Sequence, residues 1–356
     1  MLFLQRPRAA SIAGTSRLLP LLAACAALPF LAGCGRNNDT SADTKAPALT
    51  APIPNLKVAL ITPDSISDNG WNAGAYKALQ DVKTQTGAEV QNVEAKTPDT
   101  QQENLRAYAI KNFNVVIAHG SEMEDLTLAV AKDFPNTQFL VDSGRKSAPN
   151  VTPVVLRMED SAYLMGMLAA GMSKTGKIGS VGAQKGAELE ALFSAYAAGA
   201  KAARPDIIVI PTAYTGDWGD VAKGKSQALT LIDQGADVII DDLDGAAPGV
   251  FDAAKSRNTP DKPVYVMATN KDQNADAPDV ILASAPIYIE KAYVPITQQI
   301  KAGTYKYSGE FYGLKSGVIG FVLNSALQSR IPADVKAKMD DAQKQIMAGT
   351  LDTTKG

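Results

Sequence analysis

The sequence predicts an α/β protein built as two similar lobes, and three observations carry that expectation. The first is the stretch from Lys57 to Leu79, KVALITPDSISDNGWNAGAYKAL. Val58, Ala59, Leu60 and Ile61 form a continuous apolar run, as expected of a parallel strand covered on both faces. Trp71, Ala75, Leu79 and Val82 then recur at helical spacing and mark one buried face. Between strand and helix lies a polar loop from Asp64 to Gly70, at the carboxyl end of the strand, where open α/β sheets bind ligands.

The second observation is that this alternation continues. Thr100-Gln101-Gln102-Glu103 fits a capping box, opening a helix that carries Leu105, Ala109 and Phe113. Apolar runs at Val115 to Ala118, Gln138 to Asp142, Ile178 to Val181, Ile207 to Ile210, Val238 to Ile240, Val264 to Met267 and Val280 to Leu282 read as further strands. Helices are expected around Leu126 to Phe134, through Met165, Leu168 and Met172, from Ile289 to Ile300 and from Pro332 to Met347. Short strands are expected at Phe311 to Leu314 and Val318 to Val322.

The third is internal similarity at an offset of about 120 residues, the scale of one α/β lobe. Lys57-Val58 answers Lys177-Ile178, and Asn72-Ala73-Gly74-Ala75-Tyr76-Lys77-Ala78 answers Tyr196-Ala197-Ala198-Gly199-Ala200-Lys201-Ala202. Tyr108 to Ile117 likewise answers Leu231 to Ile240. Two such lobes face to face leave a cleft lined by both sets of strand-end loops.

The ends of the chain say where it works. Arg6, Arg8 and Arg17 precede the apolar run Leu18 to Leu31, the layout of an export signal too short for a good membrane span. Leu31-Ala32-Gly33-Cys34 resembles a lipobox, so Cys34 is expected to be the lipidated first residue of the mature chain. The other cysteine, Cys25, lies within the signal, which leaves an exported chain without a disulfide. Gly35 to Asn55, rich in Thr, Ala, Asn and Pro, reads as a tether.

Composition removes several functions. With 35 Lys and Arg against 37 Asp and Glu, the chain has no basic surplus for nucleic acid. His119 is its only histidine, so a multi-histidine metal site is impossible and a histidine triad has one candidate base with no signature around it. A satisfied structural histidine is as good a reading of that residue. Gly176-Lys177-Ile178-Gly179-Ser180-Val181-Gly182 lacks phosphate-loop spacing and enters a strand, so its glycines read as packing and any ATPase sits on another chain. No metal, no cofactor and no enzymatic activity are expected.

The candidate binding residues cluster at the predicted strand ends. Trp71 and Trp218 offer flat stacking faces, each weighed against simple packing of its loop. Asp64 and Asp68 lie in the first loop, Glu122 and Asp125 after His119, and Asp241, Asp242 and Asp244 before Gly245. Carboxylates there suit sugar hydroxyls or a cationic group; the spacing does not match an EF-hand.

Several blocks in order resemble the basic membrane protein family of bacterial solute-binding lipoproteins, which includes purine-nucleoside receptors of ABC transporters. They are Asp68-Asn69-Gly70-Trp71-Asn72, Tyr163 to Ala170, Ser173 to Gly179, Ala222-Lys223-Gly224-Lys225, Asp233 to Ile239 and Tyr312-Gly313-Leu314-Lys315. The resemblance implies a two-lobe type I periplasmic-binding-protein fold, each lobe a parallel sheet flanked by helices, with the ligand cleft between the lobes. It divides the chain into signal (1–33), tether (34–55), one lobe (56–160 and 285–312) and a second lobe (161–284 and 313–356). Trp71 then stands where the family has a base-stacking phenylalanine, while Asn72, Phe193 and Asp125 fall at matching positions. Asn270 replaces a family acid associated with ribose, and the lysine expected after Ile281-Leu282 is absent. Asn270→Asp is therefore expected to sharpen ribose selectivity if the cleft holds a nucleoside.

These readings combine into an extracytoplasmic, lipid-anchored capture protein, expected to be a monomer, that delivers a purine nucleoside or similar solute to an ABC permease and its ATPase. The alternatives are the same scaffold with a flavin, a sugar or a signalling molecule, or a sensor for a membrane receptor.

Overall fold

The computed structural model describes residues 51–68 and 70–355. The signal, Cys34 and most of the tether lie outside them. In chain order the strands are β1 (Lys57–Thr62), β2 (Glu89–Glu94), β3 (Val115–His119), β4 (Gln138–Asp142), β5 (Val151–Leu156), β6 (Lys177–Gly182) and β7 (Ile208–Val209). They continue with β8 (Ala213–Tyr214), β9 (Val238–Asp242), β10 (Tyr265–Asn270), β11 (Ile281–Pro286), β12 (Phe311–Tyr312) and β13 (Val322–Leu323). The helices are α1 (Trp71–Thr86), α2 (Pro98–Ile110), α3 (Glu124–Ala131), α4 (Glu159–Met172) and α5 (Ala187–Ala203), followed by α6 (Val221–Asp233), α7 (Ala247–Arg257), α8 (Glu290–Ala302) and α9 (Ala333–Ala348).

Two sheets result. The first has the order β12-β5-β4-β3-β1-β2 with every pairing parallel. The second runs β13-β11-β10-β9-β6-β7, with β8 also on β6, and departs from the all-parallel expectation only at its antiparallel edge strand β13. Dropping the edge pieces, both sheets follow one order, which is the structural form of the internal similarity: β1 and β6 begin at Lys57 and Lys177, and β3 and β9 at Val115 and Val238.

Each sheet is covered on both faces, which is why its strands read as unbroken apolar runs. On one side of the first sheet, Val58, Leu60 and Ile117 pack with Leu79 and Val82 of α1 and Tyr293 and Ile296 of α8. On the other side, Ala59, Ile61 and Val116 pack with Leu105 and Tyr108 of α2 and Val130 of α3. In the second sheet Ile240 and Met267 face α4, α5 and α9, while Ile239 and Val266 face α6 and α7. Helices α4 and α5 lie backbone to backbone, because a Cβ at Gly166 would meet the carbonyl of Tyr196 and one at Gly199 would meet that of Tyr163.

Connectivity ties the sheets together. Helix α4 follows β5 yet packs on α5, and α8 follows β11 yet packs on α1. Strand β12 then joins β5 and β13 joins β11, so the chain crosses between the sheets three times.

Local readings needed correction where proline acts. Helix α2 starts three residues before the expected capping box: Thr97 is the N-cap, exchanging hydrogen bonds with Thr100, and Pro98 supplies a preset first helical residue. The expected strand Ile207 to Ile210 is cut to Ile208–Val209 and resumes at Ala213, since Pro211 has no N–H to offer the ladder. Strands β2 and β5 had not been expected. The first is a half-exposed edge, and the second carries Pro153 opposite Val141.

Candidate functional site

The carboxyl ends of β1, β3 and β4 converge with those of β9 and β10. On the first sheet the site is built around Trp71, the first residue of α1. Its ring stacks on the imidazole of His119, with centroids 4.2 Å apart and planes 23° from parallel. His119 is fully buried at the end of β3, and both of its nitrogens are engaged. Nδ1 lies 2.8 Å from Asp142 Oδ2 and 3.3 Å from the Tyr293 hydroxyl, and Nε2 lies 3.2 Å from the Trp71 carbonyl oxygen. Tyr293 also donates to Asp142 Oδ2 at 2.9 Å. The histidine is thus structural, as one reading held, but what it supports is the aromatic platform.

Asp68 is spent on the helix. Its Oδ1 accepts from the N–H groups of Gly70 (3.0 Å) and Ala73 (2.9 Å), and its Oδ2 from the backbone and side-chain nitrogens of Asn72 (both 2.7 Å). Asn72 is buried, and its side-chain oxygen has no partner. Glu122 keeps solvent contact beside Gly120, whose φ of 135° belongs to glycine. Surrounding protein, with lesser help from Glu188 and Asp142, pushes its carboxyl up.

The second sheet contributes carboxylates. Asp242 is buried; its Oδ1 accepts from Thr269 Oγ1 at 3.2 Å and from Asn270 Nδ2 at 2.9 Å. Burial raises it to about 6, against those two hydrogen bonds. Asp244 accepts from the same Asn270 amide at 2.8 Å and from the Trp71 N–H at 3.1 Å, which joins the two sheets. Burial, with Asp242 and Asp68 nearby, raises it to about 7. Asp241 points to the opposite face of β9, 1 % exposed, with neither oxygen hydrogen-bonded, and desolvation drives it well above the carboxylate range. Gly245 brings its loop against the Asp68 carbonyl and Gly219. Trp218, about one third exposed, holds that loop through its carbonyl, which accepts from the Ala246 N–H at 2.9 Å. Phe193 is buried against Gly182 at the end of β6.

The fold therefore gathers Asp68, Trp71, Asn72, Asp242, Gly245 and Asn270, with Trp218 holding the same loop. Asp64 and Asp125 stay outside, exposed and paired with Lys96 at 2.9 Å and Lys146 at 2.6 Å. Sequence reasoning left out Asp142 and set His119 aside, although each closes an apolar strand run as Asp241 and Asp242 do. Tyr293 had no local signal. Among the described residues, no group of three or more His, Cys, Asp or Glu is arranged to hold a metal ion.

Two covered sheets meet here at strand ends that carry aromatic and carboxyl side chains, and comparison with known families places the chain. The family of PnrA-like ABC transporter substrate-binding proteins matches residues 55–350. The chain belongs to that family. This PnrA-like protein is 30% identical over 338 residues to the ABC transporter nucleoside-binding protein BmpA of Lactococcus lactis, covering 89% of this chain and 94% of that one. It is 28% identical to the transcriptional activator protein Med of Bacillus subtilis, over 74% and 80% of the two chains. A solved solute-binding protein of an ABC transporter system from Conexibacter woesei superposes with a TM-score of 0.65 at 26% identity, covering 83% of this chain and 98% of the other. As a PnrA-like protein it is an extracytoplasmic solute-binding component of an ABC transport system and not an enzyme.

Proposed function

We propose that this PnrA-like protein captures a purine nucleoside, or a similar aromatic and sugar-bearing solute, and delivers it to a permease driven by a separate ATPase subunit. The observation that carries the ligand class is the Trp71 ring, one face stacked on His119, at strand ends where the other sheet brings Asp242, Asp244 and Asn270. The free face would stack on a base, and the carboxyl and amide oxygens would accept from hydroxyl and N–H groups. A nucleoside-binding relative supports the same choice. Closure follows by population shift, since a ligand touched from both sheets favours the closed arrangement.

Trp71→Ala is expected to weaken inosine binding by roughly 1–3 kcal/mol, or about fivefold to more than a hundredfold. Calorimetric titration of wild type and variant with inosine and hypoxanthine is the check. If wild type takes neither, the nucleoside reading falls; if the folded variant keeps wild-type affinity, Trp71 is packing only. A sensor role is favoured by one specific observation, the similarity to a relative named a transcriptional activator. In either role Cys34 is the proposed lipid attachment point, and Cys34→Ala should leave the protein soluble or unprocessed. Processing with unchanged membrane partition would remove the anchor.

A further inference from the structure

We propose that Asp244 is a closure residue, which locks the two sheets together by completing the N-terminal cap of α1 from across the cleft. The first turn of a helix presents N–H groups that its own backbone cannot satisfy. Asp68, in the loop before α1, satisfies those of Gly70, Asn72 and Ala73 but leaves that of Trp71. The missing acceptor comes from a residue 173 positions away on the other sheet: Asp244 Oδ1, 3.1 Å from the Trp71 nitrogen. With the sheets apart that N–H loses this partner. With them together the helix is capped from both sides, and the helix dipole favours an acceptor there.

Three features show that the contact is built rather than incidental. Asp244 and Asn270 are both non-glycine residues in left-handed backbone, with φ of 40° and 66°. Such conformations persist where surrounding structure over-determines them. Here the Asn270 amide grips Asp242 on one side and the bonding oxygen of Asp244 on the other, aiming that oxygen at α1. Finally, Gly70 has no Cβ at the point of approach, where one would collide with the Asp244 carboxyl group.

Closure through this contact requires no solute, so it sets the closed population from which a ligand is held or released. The contact also fixes the backbone of Trp71, whose carbonyl rests on His119, so closing the cleft and presenting the ring are one event.

The test uses the ligand-free full chain, with hydrogen exchange at the Trp71 amide and the radius of gyration from small-angle scattering as readouts. Asp244→Ala and Gly70→Ala, which act from opposite sheets, should each lower Trp71 protection by about tenfold or more and enlarge the particle. Asp244→Asn keeps the accepting oxygen and should retain both wild-type values. A wild-type Trp71 amide that exchanges freely, or alanine variants as compact as wild type, would overturn the proposal. Failure of inosine to bind would end the nucleoside reading and leave these readouts untouched.

Discussion

His119→Leu is expected to destabilise the protein by about 3–5 kcal/mol, the usual cost of removing one partner from a buried polar pair that includes a carboxylate. The histidine is fully buried between Asp142, Tyr293 and the Trp71 carbonyl. Leucine fills much of the volume but leaves Asp142, already short of a partner for Oδ1, with the Tyr293 hydroxyl alone. Chemical denaturation reads the loss. The double variant His119→Leu, Asp142→Leu should recover a large part of it, because no orphaned carboxyl then remains. Ligand affinity should fall in both, since the face that orients Trp71 has gone. If His119→Leu is as stable as wild type, the network does not hold this end of the sheet.

Asn270→Asp is expected to cost about 3 kcal/mol of stability, from two lost hydrogen bonds to acids and a further, half-buried carboxyl set against them. Ribose selectivity is a separate readout, taken on whatever fraction of this variant folds. The Asn270 amide donates to Asp242 at 2.9 Å and Asp244 at 2.8 Å, so it separates two acids, and an aspartate there faces them with nothing to donate. The loss should grow with pH. Asp242 and Asp244 are raised from an ordinary 3.8 to about 6 and about 7 in the folded protein. Groups raised by folding contribute most below their unfolded value, and that contribution disappears as pH rises through the folded one. Denaturation at pH 5 should therefore show a smaller deficit than at pH 8. An equal deficit at both would mean that the new acid is not coupled to the pair.

Much of the site was legible because strand ends announce themselves. A carboxylate directly after an apolar run, as in Val238 to Asp242, has few places to go other than the edge of a sheet, and Trp71 at the start of a helix after a strand loop falls beside it. The same signal stands at Asp142, at the end of Gln138 to Val141, and was passed over. Asp68 shows the limit of such reading: an acid just ahead of a helix is equally a cap, and here all of its capacity goes to α1. Asp64 and Asp125 had the right neighbourhood in the chain, but their side chains found lysines on the outer surface.

By itself the sequence determined the alternation of buried strands and helices and that the two halves are alike, because apolar periodicity acts over a few residues; the edge strand β2 and the proline-bearing β5 lacked that signal. It also carried the family, which rests on blocks spread along the chain. Only the tertiary structure decided which strand ends meet. Tyr293 reaches His119 over 174 positions and Asp244 reaches Trp71 over 173, distances at which nothing local specifies a partner. Those contacts arise because β11 hands α8 back to the first sheet and because Gly70 is bare enough for the opposite loop to touch it. A side chain's role there follows from what stands across from it.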